Sequence, residues 1–246
     1  MFRSGNPTLG QDVFGSVARA RGEAAMTVQG TVNKAGISIL ILMGTATLAW
    51  NGAFSFLPLT VALYGSLGCA FAVALATVFK KEWAPVTTPL YAALEGVVLG
   101  IVSVAFNYRY PGIALNAFAL TVGTLAALLL AYRTGVIRAT DAFTRGVVAA
   151  TGGVALVYLA SFVLGMFGVS MPLIHGSGLI GIGFSLVVVV LAALNLVLDF
   201  AFIERGAASG APKYMEWYGA FGLLVTLVWL YLEMLRLLSK LQDRRR

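Results

Sequence analysis

This sequence is poor in charge. Only 11% of its 246 residues are Asp, Glu, Lys or Arg, against 59% hydrophobic. A soluble domain carries about 25% charged residues, because a fold in water needs a polar exterior. A water-soluble globule of this size is therefore excluded. Cysteine is nearly absent: Cys69 stands alone inside an apolar run, and one cysteine closes no intramolecular disulfide. The one histidine, His175, follows Pro172 and reads as a loop residue. One cysteine and one histidine make no zinc cluster. There is no phosphate-binding glycine loop and no serine in a G-x-S-x-G setting. These absences argue against an enzyme, and no organic cofactor is expected.

What is present is apolar length. Mean hydropathy is +0.89. A spanning helix needs about 20 mostly apolar residues, and seven segments qualify or nearly so: Gly36–Trp50 with a helical lead-in at Val28–Ala35, Phe54–Phe79, Pro89–Phe106, Pro111–Tyr132, Gly146–Val169, Gly178–Ile203 and Met215–Leu238. Pro89 and Pro111 are expected at helix starts, where a missing N–H costs little. The expected fold class is an all-α membrane protein with seven transmembrane helices. Residues 1–30 read as a flexible cytoplasmic arm, 31–239 as the membrane domain and 240–246 as a short basic tail. The first apolar run lies too far from the start for a cleaved leader, so it reads as the first span. The many glycines read as sites of close helix packing.

The net charge of +7 could point to nucleic acid, but the basic residues sit at segment ends and in the tails. That distribution sets membrane orientation. With the N-terminus in the cytoplasm, Arg3, Arg19, Arg21, Lys34, Lys80, Lys81, Arg133, Arg138, Arg145, Arg205 and Lys213 fall inside, and Arg109 alone falls in an outer loop between helices. Seven crossings put Arg236, Lys240 and Arg244–Arg246 outside, against the rule. Trp50, Trp83, Trp217, Tyr110 and Tyr132 lie near segment ends, as interfacial anchors do, and Trp229 reads as packing.

An ionisable side chain inside a span is costly and is a functional hypothesis by default. Glu95, Asp199 and Glu233 stand out. At 1.5 Å per residue, Glu95 lies about 10 Å in from its helix start and Asp199 about 7 Å from its helix end, so the two could share a level. Glu233 lies about 27 Å along the last helix, with Arg236 three residues on. An interfacial Glu233–Arg236 ion pair is the expectation there. Asn195 precedes Asp199 by one turn on the same face. If Glu95 and Asp199 approach each other they cannot both ionise cheaply, and they would share a proton. Carboxylate oxygens also suit Ca²⁺. A retinal protein is excluded, because Lys240 is the one lysine of the last helix and lies at its end.

Three stretches resemble the Bax inhibitor family, the transmembrane BAX inhibitor motif proteins with their bacterial YccA-like branch. Residues 93–100, A-L-E-G-V-V-L-G, are similar to the family's L-T-G-x-x-L-G in helix three. Residues 194–203, L-N-L-V-L-D-F-A-F-I, resemble its L-Y-x-x-Y-D. Residues 222–238, G-L-L-V-T-L-V-W-L-Y-L-E-M-L-R-L-L, resemble its last helix, N-L-Y-L-D-I-I-N-L-F-x-x-I-L-R-L-L. The lead-in T-V-Q-G-T-V-N-K-A-G (27–36) is similar to a bacterial branch.

The resemblance implies six helices around a central seventh, and a proton-sensitive calcium leak across a membrane, here a bacterial plasma membrane. It also implies an alternative: a non-conducting regulator that binds a membrane protease or another membrane protein. Protons, calcium ions and the lipid bilayer are the expected partners, with calcium as permeant or bound ion at Asp199 and Glu95. The family's sensor is a pair of aspartates on helices six and seven. Asp199 matches the first. Aligning the last helix on Arg236 puts Thr226 at the second; aligning it on L-Y-L-E puts Glu233 there, and the first alignment matches more positions. Where relatives carry threonine in the helix-three motif, this chain has Glu95, so the second acid could have moved between helices. A secondary transporter is disfavoured, since no repeat of broken helices is visible.

Overall fold

The computed structural model describes residues 24–168, 176 and 178–244. His175 lies outside them. Seven long helices are present among the described residues, and no strand. They are α1 (Val28–Trp50), α2 (Leu59–Phe79), α3 (Ala84–Arg109), α4 (Ile113–Arg133), α5 (Asp141–Met166), α6 (Leu179–Ala208) and α7 (Met215–Asp243). A single 3₁₀ turn, Lys81–Trp83, leads into α3. Each helix is 21 residues or longer and apolar enough to cross a bilayer. A helix closes its backbone hydrogen bonds within itself, which is what a segment surrounded by lipid requires.

The helix ends follow local chemistry. Thr27 caps α1, its hydroxyl accepting from Gly30 N at 2.9 Å. Thr140 caps α5 in the same way, accepting from Phe143 N at 3.3 Å. That cap starts α5 at Asp141 rather than at Gly146. α3 begins at Ala84, so Pro85 occupies the first turn, where no N–H is missed, and Pro89 lies inside the helix rather than at its start. Pro111, by contrast, lies before α4, which starts at Ile113. Tyr110–Ile113 form a turn in which Ile113 N donates to Tyr110 O at 3.1 Å, with Gly112 at φ 84°. Proline second and a positive-φ glycine third make this a type II turn.

Several boundaries differ from the hydropathy reading. α1 takes in the lead-in Val28–Ala35 as helix, so the arm read at 1–30 overlaps its first turn. α7 continues through Lys240 to Asp243, into the stretch that reads as tail. α6 reaches Ala208, so Asp199 is about 14 Å from its end, and Glu95 is about 17 Å from the start of α3. Both acids are deeper than the apolar runs imply. Polar and charged residues continue a helix past its apolar stretch, and hydropathy does not see them.

The described chain forms two compact units. Of the described residues, one comprises 24–108 and Ala201–Val225; the other comprises those within Arg109–Phe200 together with 226–244. α6 and α7 each contribute to both.

In the first unit, Tyr91 and Ala92 of α3, Ala70 of α2, and Phe221 and Leu224 of α7 form a buried cluster against Ile39 and Leu42 of α1. Tyr91 meets Phe221 edge-on at 5.1 Å between ring centroids. α3 approaches α1 at Gly96 and Gly100. A Cβ on Gly96 would land on Thr45 Oγ1 and the Leu42 carbonyl, and one on Gly100 would press on Ala46 O and Ala49. This four-residue spacing of small residues is a membrane packing motif. Close packing does not account for most of the other helical glycines: Gly36, Gly44, Gly65, Gly68, Gly123, Gly152 and Gly153 have nothing within 4 Å of a built Cβ.

In the second unit, the ring of Tyr132 packs on Phe200 and that of Tyr158 on Phe184. Tyr110 is only 3% exposed and donates to Asp243 of α7, so it faces inward instead of serving as an interfacial anchor. Trp50 and Trp83 are exposed.

Candidate functional site

Ionisable and polar side chains are buried in both units. Asp199 is fully buried on α6, and Asn195, one turn earlier, is buried with it. Asn195 Nδ2 donates to Thr151 Oγ1 of α5 and to the Leu191 carbonyl, each at 2.8 Å. Its Oδ1 has no hydrogen-bond partner among the described residues. Such an atom costs about 1–3 kcal/mol when buried and invites a donor. Thr226 is buried on α7 within the same unit.

Further along α7, Glu233 is buried while Arg236 is partly exposed. Arg236 Nη1 donates to Glu233 Oε1 at 2.7 Å and to the Tyr158 hydroxyl at 2.6 Å. The Tyr158 hydroxyl in turn donates to Glu233 Oε1 at 2.9 Å. The Arg236 guanidinium also stacks 5.1 Å from the Tyr158 ring, a cation–π geometry. Three groups thus close a triangle that ties α5 to α7. One turn on, the buried Lys240 donates to Gly181 O at 3.0 Å and Ser185 Oγ at 2.8 Å at the start of α6.

In the first unit, Glu95 is buried on α3 beside Gly96. A carboxylate ionised in a low dielectric without compensating charge is expensive. Glu95 and Asp199 belong to different units.

Sequence reasoning passed over a fourth acid, Glu216. It was lost among the residues that open α7, yet it is fully buried and collects donors from Thr27, Lys34 and Lys213. The available signal was a carboxylate placed in the first turn of a helix, next to a lysine three residues before it.

Among the described residues, no three His, Cys, Asp or Glu side chains gather to hold a metal. A calcium ion would need backbone carbonyls or water to complete its oxygen shell.

Seven apolar helices with buried acids define a multi-pass membrane protein. A family model described as Bax inhibitor 1 like matches residues 6–243. The chain belongs to that family. No curated protein and no solved structure gives a significant match.

Proposed function

We propose that this protein is a cation leak pathway, for calcium above all, switched by protonation of its buried carboxylates. Asp199 carries the reading: a fully buried acid, with the amide of Asn195 a turn away, at the position that aligns with the family's helix-six sensor. A carboxylate there is held in a low-dielectric setting, so gaining or losing a proton changes the local energy by several kcal/mol, in the range of about 2.5–3.5 for a charge at a helix centre. Glu95 is the proposed second acid and Thr226 a hydroxyl contributor. On this reading the protein sits in a bacterial plasma membrane with its N-terminus in the cytoplasm, the side favoured by the basic residues.

The test is calcium flux into proteoliposomes across pH, for the parent, Asp199→Asn and Glu95→Gln. A pH-dependent flux that loses its pH dependence in Asp199→Asn supports the pathway, and the same loss in Glu95→Gln supports Glu95 as a second proton-sensitive acid. Flux absent at every pH overturns the pathway; co-purification of a membrane protease would then favour the regulator.

A further inference from the structure

Glu216 has no part in the proposed pathway, and its surroundings are built for one purpose. Its Oε1 accepts from Thr27 N at 2.9 Å, Thr27 Oγ1 at 2.8 Å and Lys213 Nζ at 2.7 Å. Its Oε2 accepts from Lys34 Nζ. These donors come from two separate stretches of chain, the start of α1 and the α6–α7 corner. Thr27 both caps α1 and donates to Glu216. Backbone contacts follow the same path: Met26 N donates to Ala211 O at 2.7 Å, and Ala25 bridges Pro212 in antiparallel fashion. The Lys34 ammonium also lies 5.8 Å from the Trp217 ring centroid.

Space is arranged to match. The carboxylate lies directly on Gly30, where a Cβ would collide with all three of its terminal atoms. Gly219, one turn along α7, admits Thr31 at 3.1 Å from its built Cβ. The charges are arranged as well. One anion sits between two ammonium groups, and Lys34 is mostly buried while Lys213 is half-exposed. Removing the negative charge leaves two cations facing each other across a site they share. A buried charge-assisted bond contributes about 1.5–3 kcal/mol, far more than a backbone bridge at the end of a chain segment.

We propose that residues 25–34 are a strap laid over the α6–α7 corner and that Glu216 is its lock. With the carboxylate charged and seated, the start of α1 is held to α7. With it neutral or displaced, the strap lifts, while α1 stays anchored further along by its contact with Gly96 and Gly100. This inference does not depend on whether the protein conducts.

The test is hydrogen–deuterium exchange of the full chain in lipid nanodiscs, comparing residues 24–34 with residues 92–102. Glu216→Gln removes the charge. Gly30→Ala keeps the charge and displaces the carboxylate by contact. Each is expected to raise exchange in the strap about tenfold or more, the equivalent of losing one charged hydrogen bond, with α3 unchanged. Lys213→Met, a milder change at a half-exposed site, should give an intermediate rise. Strap exchange like the parent's in both Glu216→Gln and Gly30→Ala would overturn the lock. So would an equal rise across α3, because Glu216 would then support the whole unit and not a strap.

Discussion

Gly96 of α3 lies against the backbone carbonyl of Leu42 in α1, closer than any residue with a side chain could come. In lipid there is no hydrophobic force between helices, so backbone approach of this kind is a main source of association. Gly96→Ala should therefore lower stability by about 1–3 kcal/mol, since a carbonyl oxygen cannot rotate away as a side chain can. Gly36→Ala is the control. Nothing lies within 4 Å of its built Cβ, so stability should hold or rise by up to about 1 kcal/mol. Thermal unfolding in a mild detergent distinguishes the two.

The Tyr158–Glu233–Arg236 triangle makes a quantitative prediction. Glu233→Gln and Tyr158→Phe should each destabilise, and their effects should not add. A double-mutant cycle should return a coupling near 0.6 kcal/mol, with about 1.7 as the ceiling seen for polar contacts between membrane helices. Additive effects would show that Arg236 alone holds the carboxylate.

Lys240 separates length from charge. Its aliphatic stem is buried and its ammonium reaches Gly181 and Ser185 on α6. Methionine keeps most of the stem without a charge to bury, so Lys240→Met should fall within about 1 kcal/mol of the parent. Lys240→Ala leaves a void and should cost about 2 kcal/mol more than methionine. Equal losses would mean that the ammonium, and not the packing, is what matters.

Gly112 is required by its backbone. Its φ of 84° puts it where an L side chain is strained. Gly112→Ala should cost about 1 kcal/mol or more, and should loosen the turn that seats Tyr110 beside α7. Chemical-denaturant unfolding followed by tryptophan fluorescence measures the first. Exchange at Ile113 N, which bonds Tyr110 O, measures the second.

Glu95, Asp199 and Glu233 were legible from the sequence because each interrupts a long apolar run. The pairing of Glu233 with Arg236 needs only helical spacing. Tyr158 did not announce itself, since a tyrosine in an apolar helix carries no sign of its partner. Glu216 was missed for a related reason: it sits at a helix start, where a charge is ordinary, and its donors lie up to 189 residues away. Lys240 read as the end of the last helix and the start of the tail because hydropathy places helix ends where apolar residues stop, whereas a backbone helix ends where its hydrogen bonds do.

The sequence by itself determined the membrane, the seven helices and the family. Those follow from apolar length and short local motifs, which depend on neighbours along the chain. Only the tertiary structure decided which glycines carry contact, which tyrosine faces inward, and which acid binds the start of α1 to α7. These depend on which backbones come within a few ångströms of each other across long stretches of chain. A long apolar run fixes which segments are spanning helices and leaves their meeting points open.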